Sequence, residues 1–286
     1  MKPRLWLLLL AEVGLGQAPE VVFKAEARLV EVYVNVTDGR GRPVVDLTRE
    51  RFQVMEEGQA QELVVFEAGA SDLNCAILLD TTGSMGPALP VVKNAILRLV
   101  DQLRADDWAA VYGFSTKVTA LQDFTRDREA AKRAVLGARA LGSTALFDAI
   151  SQVARMVARR SGKKVIVAFT DGKDNSSVLS AAAALTRAKK IGVPVYTVAQ
   201  GEALQSRPLL AQLRDIAKRT GGLSFEARNA DDVERVFNAI AREIQHTYML
   251  AYKPPPASGS QWRAIQVTIH GLKDYKLRAK EGYVPE

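Results

Sequence analysis

The residues best suited to chemistry lie in one short loop that follows an apolar stretch. Cys75 to Leu79 is wholly apolar, which predicts a strand buried on both faces of a parallel sheet. Asp80 ends this strand, and Thr82 and Ser84 follow it closely, so the loop carries one carboxylate and two hydroxyls. In open α/β sheets, ligands bind at the carboxyl ends of the strands. Oxygen ligands of low total charge suit Mg²⁺ or Mn²⁺, whereas Zn²⁺ would favour His or Cys.

Two further oxygen-bearing residues occupy comparable places later in the chain. Thr144 precedes a predicted helix in the segment GSTALFDAI, and Asp171 follows the apolar strand predicted over Val165 to Phe169. Together with the loop at Asp80, this order resembles the metal-ion-dependent adhesion site of von Willebrand factor A domains. The pattern of that site is Asp-x-Ser-x-Ser, followed by a Thr and then by an Asp.

The resemblance implies a division of roles among these residues. Thr82 and Ser84 would bind the ion directly, and Thr144 would bind it directly in one state and through water in another. Asp80 and Asp171 would act mostly through water. Thr82 stands where the family usually has Ser, and it keeps the hydroxyl. The alternative is that these side chains only cap helices and turns.

Two neighbours of the predicted ligands have open roles. Asp174 lies three residues after Asp171 and either hydrogen-bonds a metal ligand or forms a turn. Met85 follows Ser84 directly and provides either an apolar rim for a ligand or packing around the loop.

The central part of the chain alternates apolar strands with amphipathic helices. This alternation, over residues 71–246, predicts a doubly wound, mostly parallel sheet covered by helices on both faces. Val118 to Phe124 is predicted to be a short edge strand. The order of elements resembles the von Willebrand A fold along its whole length.

The two flanks of this unit are rich in predicted strands and lack a long helix. Residues 17–70 contain alternating segments such as VEVYVNV, and residues 247–286 contain three more strand-like runs separated by the loop KPPPASGSQ. Neither flank can bury both faces of a sheet alone, so we expect them to form one β-sandwich around the inserted central unit. The alternative is that each flank adds separately to that unit. The sequences of both flanks resemble those of the exported A-domain proteins of acidobacteria.

The first residues predict export. Residues 1–16 combine a basic start, a short apolar core and small residues before Gln17, as in a secretory signal peptide. The apolar run is shorter than the roughly 20 residues that span a bilayer, so no membrane span is expected after its removal. A periplasmic or secreted location follows. The single cysteine, Cys75, falls on a predicted buried strand and excludes an intramolecular disulfide.

Composition argues against nucleic acid as a partner. The chain is 48% hydrophobic and 25% charged, which is typical of a globular protein, and its net charge of +7 is spread among scattered basic residues. Aromatic residues, at 7%, do not alternate with the basic runs as they do in many nucleic-acid-binding surfaces.

The predicted function is therefore an adhesion-type, protein-binding module rather than an enzyme. A carboxylate supplied by a partner protein would complete the coordination of the Mg²⁺ or Mn²⁺ ion. Phosphatases with an aspartate nucleophile need a second Asp two residues later, and here Thr82 takes that place. The alternatives are a metal-independent scaffold of an envelope complex and, less favoured, a Mg²⁺-dependent hydrolase.

Overall fold

The N-terminal flank consists of short strands in the computed structural model, which describes residues 29–69, 72–171, 174–256, 259 and 261–285. The predicted signal peptide, residues 1–16, lies outside these residues. The strands of this flank are β1 (Val30–Asp38), β2 (Phe52–Glu56), β3 (Gln59–Gln61) and β4 (Leu63–Glu67).

The central unit alternates strands and helices as predicted. Its first half contains β5 (Leu73–Asp80), α1 (Leu89–Gln102), β6 (Trp108–Phe114), β7 (Val118–Thr125), α2 (Arg128–Gly137) and α3 (Leu146–Ala158). Its second half contains β8 (Lys163–Thr170), α4 (Ala181–Ile191), β9 (Val195–Ala199), α5 (Arg207–Thr220), β10 (Ser224–Glu226) and α6 (Ala230–Gln245).

The C-terminal flank returns to strands. They are β11 (Tyr248–Tyr252), β12 (Arg263–Ile269), β13 (Tyr275–Arg278) and β14 (Gly282–Tyr283). The sequence pattern did not predict β3 or β14, because β3 is polar and β14 has two residues, too few for an alternating pattern. In the part of the chain that the structure describes, none of the helices has the length and apolar character needed to cross a membrane.

The central sheet has the strand order β10-β9-β8-β5-β6-β7. All neighbouring strands are parallel except β7, which pairs antiparallel with β6 and closes one edge. β5 and β8 lie in the middle and are buried at every position, which explains the apolar runs Cys75 to Leu79 and Val165 to Phe169 within them. The predicted doubly wound fold is thus confirmed.

Helices cover both faces of this sheet and enclose two cores. α1, α2 and α6 pack with residues such as Ile77 and Val111 on one face. α3, α4 and α5 pack with residues such as Leu78 and Tyr112 on the other face. Successive residues of a strand point to opposite faces, so each central strand contributes to both cores.

The two flanks form the predicted β-sandwich. One sheet has the order β13-β1-β11-β4 and the other has the order β14-β12-β2-β3, so strands of both flanks mix in each sheet. The core between the sheets contains alternating residues of β1, including Val32 and Val34, together with Val54 of β2 and Leu250 of β11. This core needs both ends of the chain.

The sandwich contacts the central unit at the edge opposite to the Asp80 loop. Lys164, near the start of β8, forms an ion pair of 2.6 Å with Glu31 of β1. The ammonium of Lys189, near the end of α4, lies 3.6 Å from the ring centroid of Trp262. The carboxyl edge of the central sheet is therefore left to the loops that carry the candidate site.

Candidate functional site

The central sheet brings the two predicted carboxylates together at its carboxyl edge. β5 and β8 are adjacent parallel strands, and Leu79 is paired with Phe169 just before each strand ends. Asp80 at the end of β5 therefore lies near Asp171, which follows β8, and both residues are buried. Strand pairing alone is sufficient to place them side by side.

Asp80 is held by hydrogen bonds to both of its carboxylate oxygens. Oδ1 accepts from the backbone N–H of Thr82 at 2.9 Å, and Oδ2 accepts from the hydroxyl of Thr170 at 2.8 Å. These bonds fix the start of the loop against the end of β8. Asp80 thus holds the loop in a fixed position at the end of β5.

Three oxygen atoms converge beside Asp80 with the spacing of cation ligands. The hydroxyl oxygens of Thr82 and Ser84 lie 3.1 Å apart, and the Ser84 hydroxyl donates to Oδ1 of Asp171 at 3.0 Å. Adjacent ligands of an octahedral Mg²⁺ ion, each about 2.1 Å from the metal, lie about 3 Å apart. The residues present therefore fit such an ion.

The electrostatics of the site also favour a cation. Burial raises the pKa of Asp80 above its usual range. Burial, with a contribution from the neighbouring charge of Asp80, raises the pKa of Asp171 to about 6. No lysine or arginine that the structure describes forms an ion pair with either carboxylate. A bound divalent ion would compensate these two charges.

The donor set is hydroxyl-rich and excludes a typical zinc site. No group of three or more His, Cys, Asp or Glu side chains comes together as a possible metal site within the described ranges. The structure brings the carboxylates of Asp80 and Asp171 to the hydroxyls of Thr82 and Ser84, and the hydroxyl of Thr144 is the third one predicted from the sequence. Such oxygen ligands match Mg²⁺ or Mn²⁺.

Thr144 is buried in a loop that is tied to both of the other site loops. Its backbone N–H donates to the side-chain oxygen of Asn175 at 2.9 Å, and its carbonyl accepts from the N–H groups of Asn175 and Ser176. On the other side, the N–H of Gly83 donates to the carbonyl of Gly142 at 3.2 Å. Gly142 has a φ of +91°, a backbone conformation that favours glycine. The three loops thus form one hydrogen-bonded unit.

Asp174 holds the start of α3. Its Oδ2 accepts from the N–H of Phe147 at 2.9 Å and from the hydroxyl of Ser177 at 2.6 Å, and its Oδ1 accepts from the N–H of Ser177 at 3.0 Å. A carboxylate at a helix N-terminus satisfies free N–H groups and interacts favourably with the helix dipole. The sequence left two roles open for Asp174, a hydrogen bond to a metal ligand or the formation of a turn. These contacts favour the second role.

Met85 lies beneath the Asp80 loop and is fully buried. Its sulfur accepts a hydrogen bond of 3.6 Å from the side-chain amide of Gln200, which is also buried. A side chain without exposed surface cannot form a rim for a ligand. The structure therefore favours the packing role for Met85.

Sequence reasoning missed the residues that join the loops. Asn175 and Asp148 contact backbone atoms about thirty residues away, and Asp148 accepts from the N–H groups of Val178 and Leu179. The only signal in the sequence was a density of Asp, Asn and Ser after β8, which is typical of any turn.

The chain matches the model of one known protein family. The family model for the von Willebrand factor type A domain matches residues 74–239, which is more than half of the chain. The protein belongs to the von Willebrand factor type A domain family. Comparison with curated protein sequences finds no match.

Solved structures share the fold at low sequence identity. A von Willebrand factor type A protein from Catenulispora acidiphila is 16% identical, with 93% of this chain and 76% of that chain covered and a TM-score of 0.55. BatB from Bacteroides thetaiotaomicron is 22% identical, with 60% of this chain and 97% of that chain covered and a TM-score of 0.51. A point mutant of the PilB minor pilin from Streptococcus sanguinis is 15% identical, with a TM-score of 0.52, and the match spans only 62% of either chain.

Proposed function

We propose that this protein is an exported binding module that captures a partner protein through a divalent cation at the carboxyl edge of its central sheet. The ion, Mg²⁺ or Mn²⁺, would be held by the residues predicted as ligands: Asp80, Thr82, Ser84, Thr144 and Asp171. The observation that carries the proposal is that the Ser84 hydroxyl oxygen lies 3.1 Å from that of Thr82 and 3.0 Å from Oδ1 of Asp171, in a site that also holds the buried carboxylate of Asp80.

The chemistry of the donor set defines the kind of partner. Ligation by two carboxylates and neutral hydroxyls would leave the ion with more net positive charge than ligation by three carboxylates, so the bound ion would attract an external anion. Ser84 is exposed, whereas Asp80, Thr82 and Asp171 are buried. A carboxylate of a partner protein would approach from the side of Ser84.

The same residues support binding rather than hydrolysis. Thr82 occupies the position at which a phosphatase of the aspartate type would need a second carboxylate. Both oxygens of Asp80 accept hydrogen bonds, which orients this side chain toward the loop rather than toward a substrate.

An extracytoplasmic location, periplasmic or secreted, completes the proposal. It rests on the signal-peptide pattern of residues 1–16. Among the proteins of similar fold are a minor pilin and the vWF domain of the type V pili tip protein Mfa5 from Porphyromonas gingivalis, which is 13% identical with a TM-score of 0.50.

The test uses the relaxation of water protons by Mn²⁺ added to the full chain. Bound Mn²⁺ with a water ligand enhances this relaxation, and acetate or an aspartate-containing peptide that displaces the water lowers it. We expect both effects in the wild type and neither in Ser84→Ala. Ser161→Ala serves as the matched control, because Ser161 is exposed and precedes β8, at the edge of the sheet opposite to the predicted ligands.

Two outcomes would contradict the proposal. Enhancement that persists in Ser84→Ala would place the ion elsewhere. If the enhancement is lost in Ser84→Ala but the enhancement of the wild type does not fall when a carboxylate is added, the metal site exists without the proposed role in partner capture.

A further inference from the structure

A second candidate site lies at the opposite end of the central sheet, between the central unit and the sandwich. It is a cleft of about 750 Å³, lined by the ends of α3 and α4 and by residues of both flanks. Small-molecule sites have volumes of roughly 300–1,000 Å³ and often lie between domains. The cleft therefore has the size and position of a ligand site.

Part of the cleft lining is apolar, and we call this part the proline wall. It includes aliphatic side chains and three consecutive prolines, namely Val30, Ile191, Val193, Pro254, Pro255 and Pro256. Proline restricts the backbone, so this wall changes little when a ligand binds. It suits the apolar body of a small molecule.

The remaining lining residues make the cleft strongly basic. Glu31 is the one acidic residue among the described lining residues, and it is paired with Lys164 at 2.6 Å. Four further cations line the cleft, and among the described residues none of them has a carboxylate within ion-pair distance: Arg155, Arg159, Lys190 and Lys280.

Lys280 is the least expected of these cations, because only 7% of its surface is exposed. Its ammonium lies 5.7 Å from the ring centroid of Tyr283 and packs against Gly192, where an added Cβ would come within 2.9 Å of Nζ. No hydrogen bond or ion pair joins this ammonium to any residue that the structure describes. Buried lysines are almost always paired.

The helix ends explain part of this charge but not Lys280. Arg155, Arg159 and Lys190 are exposed and lie at the C-termini of α3 and α4, where cations interact favourably with the helix dipoles. Lys280 instead follows β13 and reaches the end of α4 from the sandwich. Burial lowers the pKa of its ammonium to about 8, so the surrounding groups do not compensate for its desolvation.

We propose that this cleft binds a small amphipathic organic anion, whose acidic group is held by Lys280 and by the basic rim and whose apolar body packs on the proline wall. The charged group is a carboxylate, sulfonate or phosphate, since each accepts hydrogen bonds from an ammonium. This site is independent of the metal loop and of the function proposed for it.

The experiment compares two fluorescent probes that share an apolar body. 8-Anilinonaphthalene-1-sulfonate carries a sulfonate, and N-phenyl-1-naphthylamine lacks it. We expect the full chain to bind one equivalent of the sulfonate, and Lys280→Met to weaken this binding by about tenfold or more, since the variant removes a charge-assisted hydrogen bond. Binding of the neutral probe should change little.

Two further variants keep the test interpretable. Lys276→Met is the matched control, because Lys276 is exposed on β13 and does not line the cleft, and it should bind both probes like the wild type. If Lys280→Met does not fold, the exposed pair Arg155→Gln with Arg159→Gln tests the same charge dependence. Near-ultraviolet circular dichroism monitors the fold of each variant.

Competition identifies the class of ligand. Octanoate should displace the sulfonate probe at lower concentration than inorganic phosphate, because phosphate cannot use the apolar wall; the reverse order would overturn the amphipathic assignment. The proposal is also overturned if the wild type binds no sulfonate probe, if several equivalents bind, or if the folded charge-removing variants bind it as tightly as the wild type.

Discussion

At the scale of single residues, the candidate metal site combines an exposed hydroxyl with buried charge. Ser84 is exposed and donates to Asp171, whose carboxyl has a pKa raised to about 6 by burial and by the charge of Asp80. Two neighbouring carboxylates destabilise the folded protein unless a cation compensates them. The residues proposed to bind the ion should therefore weaken the metal-free protein.

We predict that Asp171→Asn is more stable than the wild type without metal and less stable than the wild type with excess Mg²⁺. At pH 7 with a chelator, the variant should be more stable than the wild type by roughly 1 kcal/mol, because one of two repelling charges is removed. With excess Mg²⁺, only the wild type should gain stability, because the ion binds only its folded state. Urea unfolding under both conditions provides the measurement.

An equal response of both proteins to Mg²⁺ would contradict this prediction. Asp215→Asn is the matched control, since Asp215 lies on α5 and pairs with Arg219 four residues later in the chain. Its small effect on stability should be the same with and without Mg²⁺.

A second prediction at this scale concerns the pH dependence of stability at Lys280. Its pKa is lowered to about 8 in the folded protein, whereas an ordinary lysine titrates near pH 10.4. Between these values the unfolded state binds more protons, so the wild type gains stability as the pH rises. Below pH 8 the full destabilisation remains, and Lys280→Met should be more stable by roughly 1–3 kcal/mol.

This advantage of Lys280→Met should disappear near pH 10.5. The charged and titratable groups around the ammonium are Glu31 on β1, Lys164 on β8 and Tyr283 on β14. Burial raises the pKa of the Tyr283 hydroxyl to about 12, and therefore it does not titrate in this window. A difference in unfolding free energy that stays constant from pH 7 to pH 10.5 would contradict the prediction.

At the scale of elements, the site depends on three loops that hydrogen bonds join into one unit. The sequence predicted the strands and helices that carry these loops, because β5 and β8 contain the apolar runs Cys75 to Leu79 and Val165 to Phe169, and α3 begins soon after Thr144. It could not predict the bonds between loops, such as Asn175 to Thr144, because these depend on packing between distant segments. The sequence could not decide between the rim and packing roles of Met85 for the same reason.

We predict that Asn175→Ala weakens metal binding by about tenfold, as is usual for residues that orient metal ligands. The substitution removes the acceptor for the N–H of Thr144 and frees the segment that carries this ligand. Titration with Mn²⁺ measures the affinity. Asn238→Ala is the matched control, because Asn238 accepts from Gln102 between α6 and α1, away from the site.

Equal affinities for Mn²⁺ in Asn175→Ala and the wild type would show that Thr144 needs no support from this loop. A lower affinity in both Asn175→Ala and Asn238→Ala would instead indicate a general loss of stability, which thermal unfolding of the two variants would detect.

At the scale of the whole molecule, the two candidate sites lie at opposite ends of the central sheet. The Asp80 loop occupies its carboxyl edge, and the basic cleft lies where the sandwich meets its amino edge. Periodicity in the sequence was sufficient to predict both the sheet and the sandwich. The cleft was not predictable, because its lining residues come from six separate segments of the chain.

We predict that the central unit folds alone and that the N-terminal flank does not. Residues 72–245 contain both cores of the central sheet, whereas β1, β2 and β4 each pair with C-terminal strands. A fragment of residues 72–245 should unfold cooperatively in urea, and a fragment of residues 17–70 should show no transition. A cooperative transition in the second fragment would contradict the shared sandwich.

The most direct test of the account is a calorimetric titration of Mn²⁺ into the purified full chain. We predict one bound ion with a dissociation constant from micromolar to millimolar, as expected of a site with only two carboxylates. In Asp80→Ala, which removes the acceptor for both Thr82 and Thr170, the heat of binding should vanish. Equal heats from the wild type and Asp80→Ala, with both proteins folded, would contradict the account.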